Sequence, residues 1–446
     1  MPMLSRRGMM QGLAALAAAA ATRGAFAQSA ADLPIVFVHG DSDAAAIWQT
    51  TIWRFESNGY PRDRLFAISM TDPQARDDDT VAQADRSSTQ DQLRELTAFV
   101  AAVRAKTGAA RVALVGLSRG GYATRGYVAA HPAEVAAVVL CGTPNHGVFA
   151  IDALAGSEYN GRGAFLKGLN SGPSEVVAGV PFLTLRSDGF DLYAQPDGAY
   201  LGHPGMATNV TAEGPALLGA TNLTLGQVDH RETATSPRAF AEIYRFVVGK
   251  APARIAIAPE PQVTLDGRVT GVVDGTPTNR PVAEATVEVY RVSPDTGERQ
   301  GAALLSKKTG ADGLWGPLAV ESATPLEFVV AAPGAPVTHI YRSPFPRSFA
   351  QLDLRPAAPA KEDADAAALV LMNRPRGYFG QPRDIVLLDG KTPDGIPPGV
   401  PATWHATLKL AAVEPRPIVA EFNEERIVAR PWPMKDGHVT VVELTT

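Results

Sequence analysis

The chain has a single cysteine, Cys141, in 446 residues, so no internal disulfide can form and stability has to come from packing. Charge of one sign is also scarce: 41 Lys and Arg stand against 46 Asp and Glu, a formal net charge of -5. With no basic run and no aromatic-basic patch to offset that balance, nucleic acid is set aside as a partner. Beyond residues 1–27 no segment is long and apolar enough to span a membrane. Histidine is sparse, eight in all, which keeps the search for a catalytic base short. The length exceeds what one hydrophobic core usually holds, so two or three domains are expected.

Residues 1–27 read as a twin-arginine signal peptide. Ser5-Arg6-Arg7-Gly8-Met9-Met10 carries the arginine pair, a short alanine-rich run follows, and Ala25-Phe26-Ala27 is an A-x-A cleavage site. A membrane anchor would need a longer and more apolar run. The expected mature chain starts near Gln28 and is exported already folded, to the periplasm or beyond.

The stretch that organises the rest is Arg111 to Tyr122, RVALVGLSRGGY. An apolar β-type run leads into Gly116, Ser118, Gly120 and Gly121, a G-x-S-x-G pattern, and Tyr122 to Ala130 reads as a helix stopping before Pro132. A serine on a tight strand-to-helix turn needs near-zero side-chain volume two residues before and two after it. Strand, Gly-flanked Ser, helix is the context that makes Ser118 a nucleophile candidate rather than part of a glycine-rich turn.

Around it the sequence alternates strand and helix. Leu33 to Val38 is a buried-strand run ending at His39-Gly40-Asp41; Ile47 to Asn58 reads as a helix, Leu65 to Ser69 as a strand, Ser88 to Lys106 as a helix, and Val135 to Leu140 as a strand. Val180 to Arg186 and Asn222 to Val228 are further strands, and Pro237 to Val248 a helix. Asp77-Asp78-Asp79 reads as a solvated loop in preference to a Ca²⁺ site, because adjacent carboxylates do not readily converge on one ion. Cys141 reads as a small core residue at a strand end. His39 reads as structural, and His146 as a loop-fixing side chain that could also line a site. The Gly-rich segment Phe149 to Ala178 is open between an apolar cover over a substrate and an ordinary connecting helix.

Each remaining candidate falls at a strand end. Ser187-Asp188-Gly189-Phe190-Asp191 supplies two acids after one strand, and Asp229-His230 follows the last. The chain order Ser118, Asp191, His230 is that of an α/β-hydrolase, with Asp191 favoured over Asp188 because it precedes Leu192-Tyr193-Ala194. A serine becomes nucleophilic when a histidine accepts its proton and a carboxylate fixes the imidazole tautomer. Backbone N–H groups of Asp41 and Arg119 are the expected oxyanion hole. The Asp41 side chain is then expected to turn away into solvent, since a carboxylate beside an oxyanion is repulsive.

The chain resembles α/β-hydrolase lipases and esterases, and in particular a thermophilic archaeal lipase architecture with a β-rich C-terminal domain. The residues that carry the likeness are Ile35 to Gly40 (IVFVHG), Arg54 to Pro61 (RFESNGYP), the serine elbow, Asp229 to Phe246, and His339 to Arg347 (HIYRSPFPR). The resemblance implies acyl-ester hydrolysis with no metal or organic cofactor. It also implies a departure: the triad acid of that architecture lies where this sequence has Cys141, so the acid here has to come from the next strand, from Asp191 or Asp188.

The expected fold class is therefore an α/β-hydrolase domain with a mostly parallel sheet, residues 28–249, followed by an all-β region, sandwich or barrel. A Pro/Ala linker spans 250–262, residues 263–356 resemble a transthyretin-like or carboxypeptidase-regulatory-like sandwich module, and residues 357–446 form either a third domain or the rest of one β unit. The β half reads equally as a substrate-contacting or a stabilising module. The function expected is an exported lipase or esterase acting on an acyl ester, with possible contact to a lipid or polymer surface. The alternatives are a polyester depolymerase, an amidase or peptidase using the same triad, and a surface-binding protein that has lost activity.

Overall fold

The computed structural model describes residues 33–446, so the twin-arginine reading of residues 1–27 lies outside the described residues. Six short strands form one wholly parallel sheet in the order β2-β1-β3-β4-β5-β6: β1 Ile35–Val38, β2 Leu65–Ile68, β3 Val112–Leu117, β4 Val135–Cys141, β5 Phe182–Ser187 and β6 Thr221–Leu225. The strands are apolar on both faces because helices cover both. Along β1, Ile35 and Phe37 enter one core, with the helices Gln49–Ser57 and Pro237–Val248, while Val36 and Val38 enter another, with Thr89–Thr107 and Gly120–Ala130.

The helix boundaries follow from capping. Ser88 accepts the Asp91 N–H while the Asp91 carboxylate accepts the Ser88 N–H, a reciprocal cap that starts Thr89–Thr107, and Gly108 ends it in the left-handed region. Ser236 accepts the Ala239 N–H to start Pro237–Val248, with Pro237 in its first turn, and Gly249 ends it in the left-handed region. The helix after Ser118 begins at Gly120, two residues earlier than expected, because the turn itself is already helical from Arg119 onward. The Ile47 segment divides into a single 3₁₀ turn, Ala45–Trp48, and the helix Gln49–Ser57. Within 149–178 only Ala164–Leu169 is an α-helix.

The second half pairs strands from either side of residue 356 in one sheet. Its order is β11-β10-β13-β14-β20-β15-β17, formed by β10 Thr286–Arg291, β11 Leu305–Lys308, β13 Leu326–Ala331, β14 Val337–Arg342, β15 Ala368–Asn373, β17 His405–Leu410 and β20 His438–Glu443. Neighbours are antiparallel except that β20 lies parallel to both β14 and β15. The alternating run Val263 to Val273 divides into two strands, β7 Gln262–Leu265 and β8 Thr270–Val273. The break is at Gly267, where a Cβ would sit 1.9 Å from the Leu352 carbonyl oxygen. β8 pairs with β9, Thr276–Pro281, β7 pairs with β12, Leu318–Glu321, and β16 Val386–Leu388, β18 Ile418–Phe422 and β19 Glu425–Ala429 form a three-stranded sheet.

The two halves share one continuous apolar core, in which Trp48 and Phe55 of the hydrolase side join Trp315 and Phe328 of the β side. Trp53 is the bridge: its indole N–H donates to the Ser348 carbonyl at 3.0 Å, and its ring meets Phe345 and Phe349 edge-on. The Pro/Ala segment between the halves is also fastened, with Arg254 N–H on the Asn58 side chain and Ala258 N–H on Ser57. Truncating Trp53 to Ala therefore opens a cavity at the junction, and denaturant unfolding is expected to register a loss of about 3–5 kcal/mol.

His39 ends β1 fully buried. Its Nδ1–H donates to the Gly40 carbonyl at 2.7 Å and its Nε2 accepts the Met70 N–H at 2.9 Å, which fixes a neutral ring. Burial pushes its pKa from 6.5 down to about 4. The folded state thus declines a proton that the unfolded chain takes up. This contribution to stability is complete above pH 6.5 and is lost as pH falls toward 4, on the order of 3 kcal/mol in all. His39→Gln, which does not titrate, is expected to show a shallower acid destabilisation between pH 6.5 and 4 in chemical denaturation.

Candidate functional site

β3 delivers Ser118 to the C-terminal edge of the sheet with φ of 50°, a left-handed backbone in a non-glycine residue. The crowding around it is severe. A Cβ on Gly116 would meet Gly121 Cα at 2.9 Å, one on Gly120 would meet the His39 carbonyl oxygen at 2.3 Å, and one on Gly40 would come within 3.2 Å of Ser118 Cβ. The glycines two before and two after the serine are thus set by backbone contacts.

His230 follows β6 and is 3% exposed. Its Nδ1 lies 3.0 and 2.9 Å from the two carboxylate oxygens of Asp191, while its Nε2 is buried with no partner among the described residues. Tyr193 packs edge-on against the imidazole at 4.6 Å between centroids, and its N–H donates to Asp191 at 2.8 Å, so one turn steadies both the ring and the acid. Asp188 is elsewhere: its carboxylate accepts the Gln227 N–H at 2.9 Å. Gly142, with φ of 52°, occupies the end of β4 and lies against His230, where a Cβ would be 3.3 Å from Nδ1. That close approach leaves the acid to come from the loop after β5.

The Asp41 carboxylate does not turn into solvent. It accepts the Ala75 N–H at 2.7 Å, the Tyr159 hydroxyl at 2.9 Å and the Ser42 hydroxyl at 2.9 Å, so its charge is taken up by donors from three segments. The backbone N–H groups of Asp41 and Arg119 have no partner among the described residues. The Arg119 side chain runs away from the site into a buried pair with Glu158, and also donates to the Pro73 and Ser87 carbonyls at 3.0 and 2.6 Å. Burial opposes the Arg119 charge, yet Glu158 holds its pKa above the usual arginine value. The segment 149–178 is therefore pinned within its first third to the residue after Ser118.

Ser118 and His230 open on one cavity of about 350 Å³. Val148, Phe149, Leu154, Leu201 and Met206 give it an apolar wall. Asp43 and Arg231 also line it and pair at 2.7 Å. Burial pushes the Asp43 carboxyl up while Arg231 draws it down. Tyr378, from the β half, is on the same wall, with the Arg231 guanidinium 5.0 Å above its ring.

Of the remaining sequence candidates, His146 lies outside the cavity, paired with Glu175 at 2.9 Å. Cys141 is fully buried, and burial pushes its thiol pKa up. The Asp77 to Asp79 carboxylates are divided among separate partners, Asp79 accepting Thr89 N–H at 2.7 Å and Asp77 accepting Gln83 at 2.8 Å. Sequence reading did not find Tyr159, Glu158, Arg231 or Tyr378: the two tyrosines and the glutamate sit at no strand end and in no motif, and Arg231, though next to His230, carries no local sign of its partner Asp43.

Residues 32–160 match the family described as Lipase (class 2), and residues 261–359 match the Lipase C-terminal domain. No curated protein matches the chain. Lipase B of Aspergillus fumigatus is 17% identical over 50% of this chain and 54% of its own, with a TM-score of 0.34. A Bacillus licheniformis lipase in mature form is 23% identical over 49% of this chain and 92% of its own, TM-score 0.34. A Bacillus subtilis carboxylesterase is 15% identical over 49% of this chain and 85% of its own, TM-score 0.29. A Lipase (class 2) match over residues 32–160 is thus followed in the same chain by a Lipase C-terminal domain match over residues 261–359, an arrangement similar to that of two-domain lipases.

Proposed function

We propose that the protein hydrolyses acyl esters through a Ser118-His230-Asp191 triad and an acyl-enzyme intermediate. The observation that carries this is His230 itself: one ring nitrogen lies on the Asp191 carboxylate, and the other is unpartnered in the cavity that Ser118 also lines. Asp191 keeps the proton on Nδ1, leaving Nε2 to accept. Ser118 Oγ bonds to the ester carbonyl carbon as His230 Nε2 takes its proton, and the carbonyl oxygen becomes an oxyanion. The N–H groups of Asp41 and Arg119, which have no partner among the described residues, are the donors available to it. The oxyanion then collapses, the C–O bond to the alcohol breaks, and His230 returns the proton to the departing oxygen. A water activated by the same imidazole releases the acid.

The apolar wall of Val148, Phe149, Leu154, Leu201 and Met206 favours an aliphatic acyl group over a peptide. The twin-arginine pattern supports export of the folded protein, and a chain stabilised without disulfides suits that route.

Nitrophenyl esters of graded acyl length test this reading on the mature protein. Ser118→Ala and His230→Ala are each expected to lower kcat by at least about 10⁴-fold, and the double variant by little more, because the residues act as a unit. Asp191→Asn should cost about 10⁴-fold through the wrong tautomer. Asp188→Asn should leave kcat within about twofold, its carboxylate being engaged elsewhere. Retained turnover in Ser118→Ala would overturn the assignment.

A further inference from the structure

His230 is bracketed by two acids, Asp229 and Glu232, neither of which faces the cavity. Asp229 is fully buried. One of its carboxylate oxygens accepts the N–H groups of Arg231 and Glu232 at 2.9 and 3.0 Å, closing the turn that carries the histidine. The other accepts the Tyr378 N–H at 2.8 Å and the Arg374 and Arg383 guanidinium groups at 3.0 and 3.2 Å. Glu232 receives the same two arginines, Arg383 at 2.8 Å, and also accepts the Asp229 N–H at 2.8 Å.

Both guanidinium groups also donate to the Tyr378 carbonyl, at 2.6 and 2.7 Å. Arg374 is stacked 4.2 Å from the Phe422 ring and Arg383 is held by Asp384 at 2.8 Å. Every donor that reaches the Asp229–Glu232 pair from outside the turn thus comes from residues 374–383 of the β half. Thr235 adds a further tie, its hydroxyl donating to the Arg376 carbonyl at 2.7 Å.

We propose that Arg374 and Arg383 are positioning residues for His230: the β half completes the hydrolase site by clamping the acids on either side of the catalytic base. This rests on the reading of His230 given under Proposed function. A buried carboxylate pair is costly unless fully matched, and breaking such a pair costs more than never having it. The turn therefore holds its shape only while the two arginines are docked: burial and Asp229 push the Glu232 carboxyl up, and both guanidinium groups draw it back toward the charged form. The other groups facing His230 are Asp191, Asp43, Arg231, Tyr193 and Tyr378, on the β5 loop, the β1 loop, its own turn and the β half.

The sign of the effect follows. Glu232→Gln removes a negative charge and leaves both arginines, which disfavours the imidazolium. The acidic limb of kcat/KM is expected to move to lower pH by about half a unit, and the His230 imidazole titration read by NMR to move the same way. kcat should fall about tenfold from misplacement of the base, with KM within about twofold because Glu232 does not line the cavity. The double variant E232Q/R383Q restores the charge balance and serves if the single variant does not fold. Its acidic limb should return to the wild-type position while kcat stays about tenfold low. Folded E232Q with wild-type kcat and an unmoved limb overturns the clamp, as does a double variant with wild-type kcat. Turnover that survives Ser118→Ala strikes the proposed function instead, and the NMR titration then still reads the clamp.

Discussion

Everything at the site depends on one steric constraint, the contact of three backbones at Ser118. Its left-handed φ of 50° is of a kind that costs about 1–3 kcal/mol and persists only where the surroundings enforce it. Here the enforcement comes from β1 and the helix Gly120–Ala130 approaching so closely that Gly116 and Gly120 have no room for a methyl group and Gly40 has little. The Ser118 N–H is spent on the Cys141 carbonyl at 2.8 Å, so β4 holds the turn from the other side. The strain places the hydroxyl at the rim of the sheet, and the helix that follows starts without linker residues.

The residues proposed to act with this serine arrive from far along the chain. Asp191 and His230 come from successive loops at the same edge of the sheet, and Tyr193 locks one against the other. The β half reaches both flanks of the site. On one flank Asn279 of β9 donates to the Asp43 and Met70 carbonyls at 3.0 and 2.8 Å, steadying the loop that carries Asp41. On the other, Arg374 and Arg383 hold the turn around His230. Neither flank is a flexible tether, because both are buried and the two halves share one core. The β half is therefore continuous with the hydrolase domain in the mechanical sense, whatever it does at a surface.

Much of the hydrolase half was legible in the sequence because its signals are local. Periodicity and punctuation located the six parallel strands, the caps bounded Thr89–Thr107 and Pro237–Val248 to within a residue, and the glycines around Ser118 marked the elbow. The β half was legible as strands and not as a sheet. β20 is the last strand of the chain and inserts in parallel between β14 and β15, a long-range pairing for which alternation of side chains carries no signature. The break at Gly267 was likewise hidden, since the reason for it is the Leu352 backbone, 85 residues along the chain (352 − 267).

The sequence by itself determined which residues could do chemistry: a glycine-framed serine, a histidine after the last parallel strand, and two acids in the loop before it. Residue type and chain order suffice for that, because strand ends of a parallel sheet converge on one edge. The tertiary structure decided which acid meets the imidazole, where the Asp41 charge goes, and that arginines from the second half pair with the acids on either side of His230. Those outcomes depend on distances between segments from 39 residues apart, for Asp191 and His230, to 154, for Asp229 and Arg383, and electrostatic balance in a buried site is set by the partners that arrive, which no local pattern encodes.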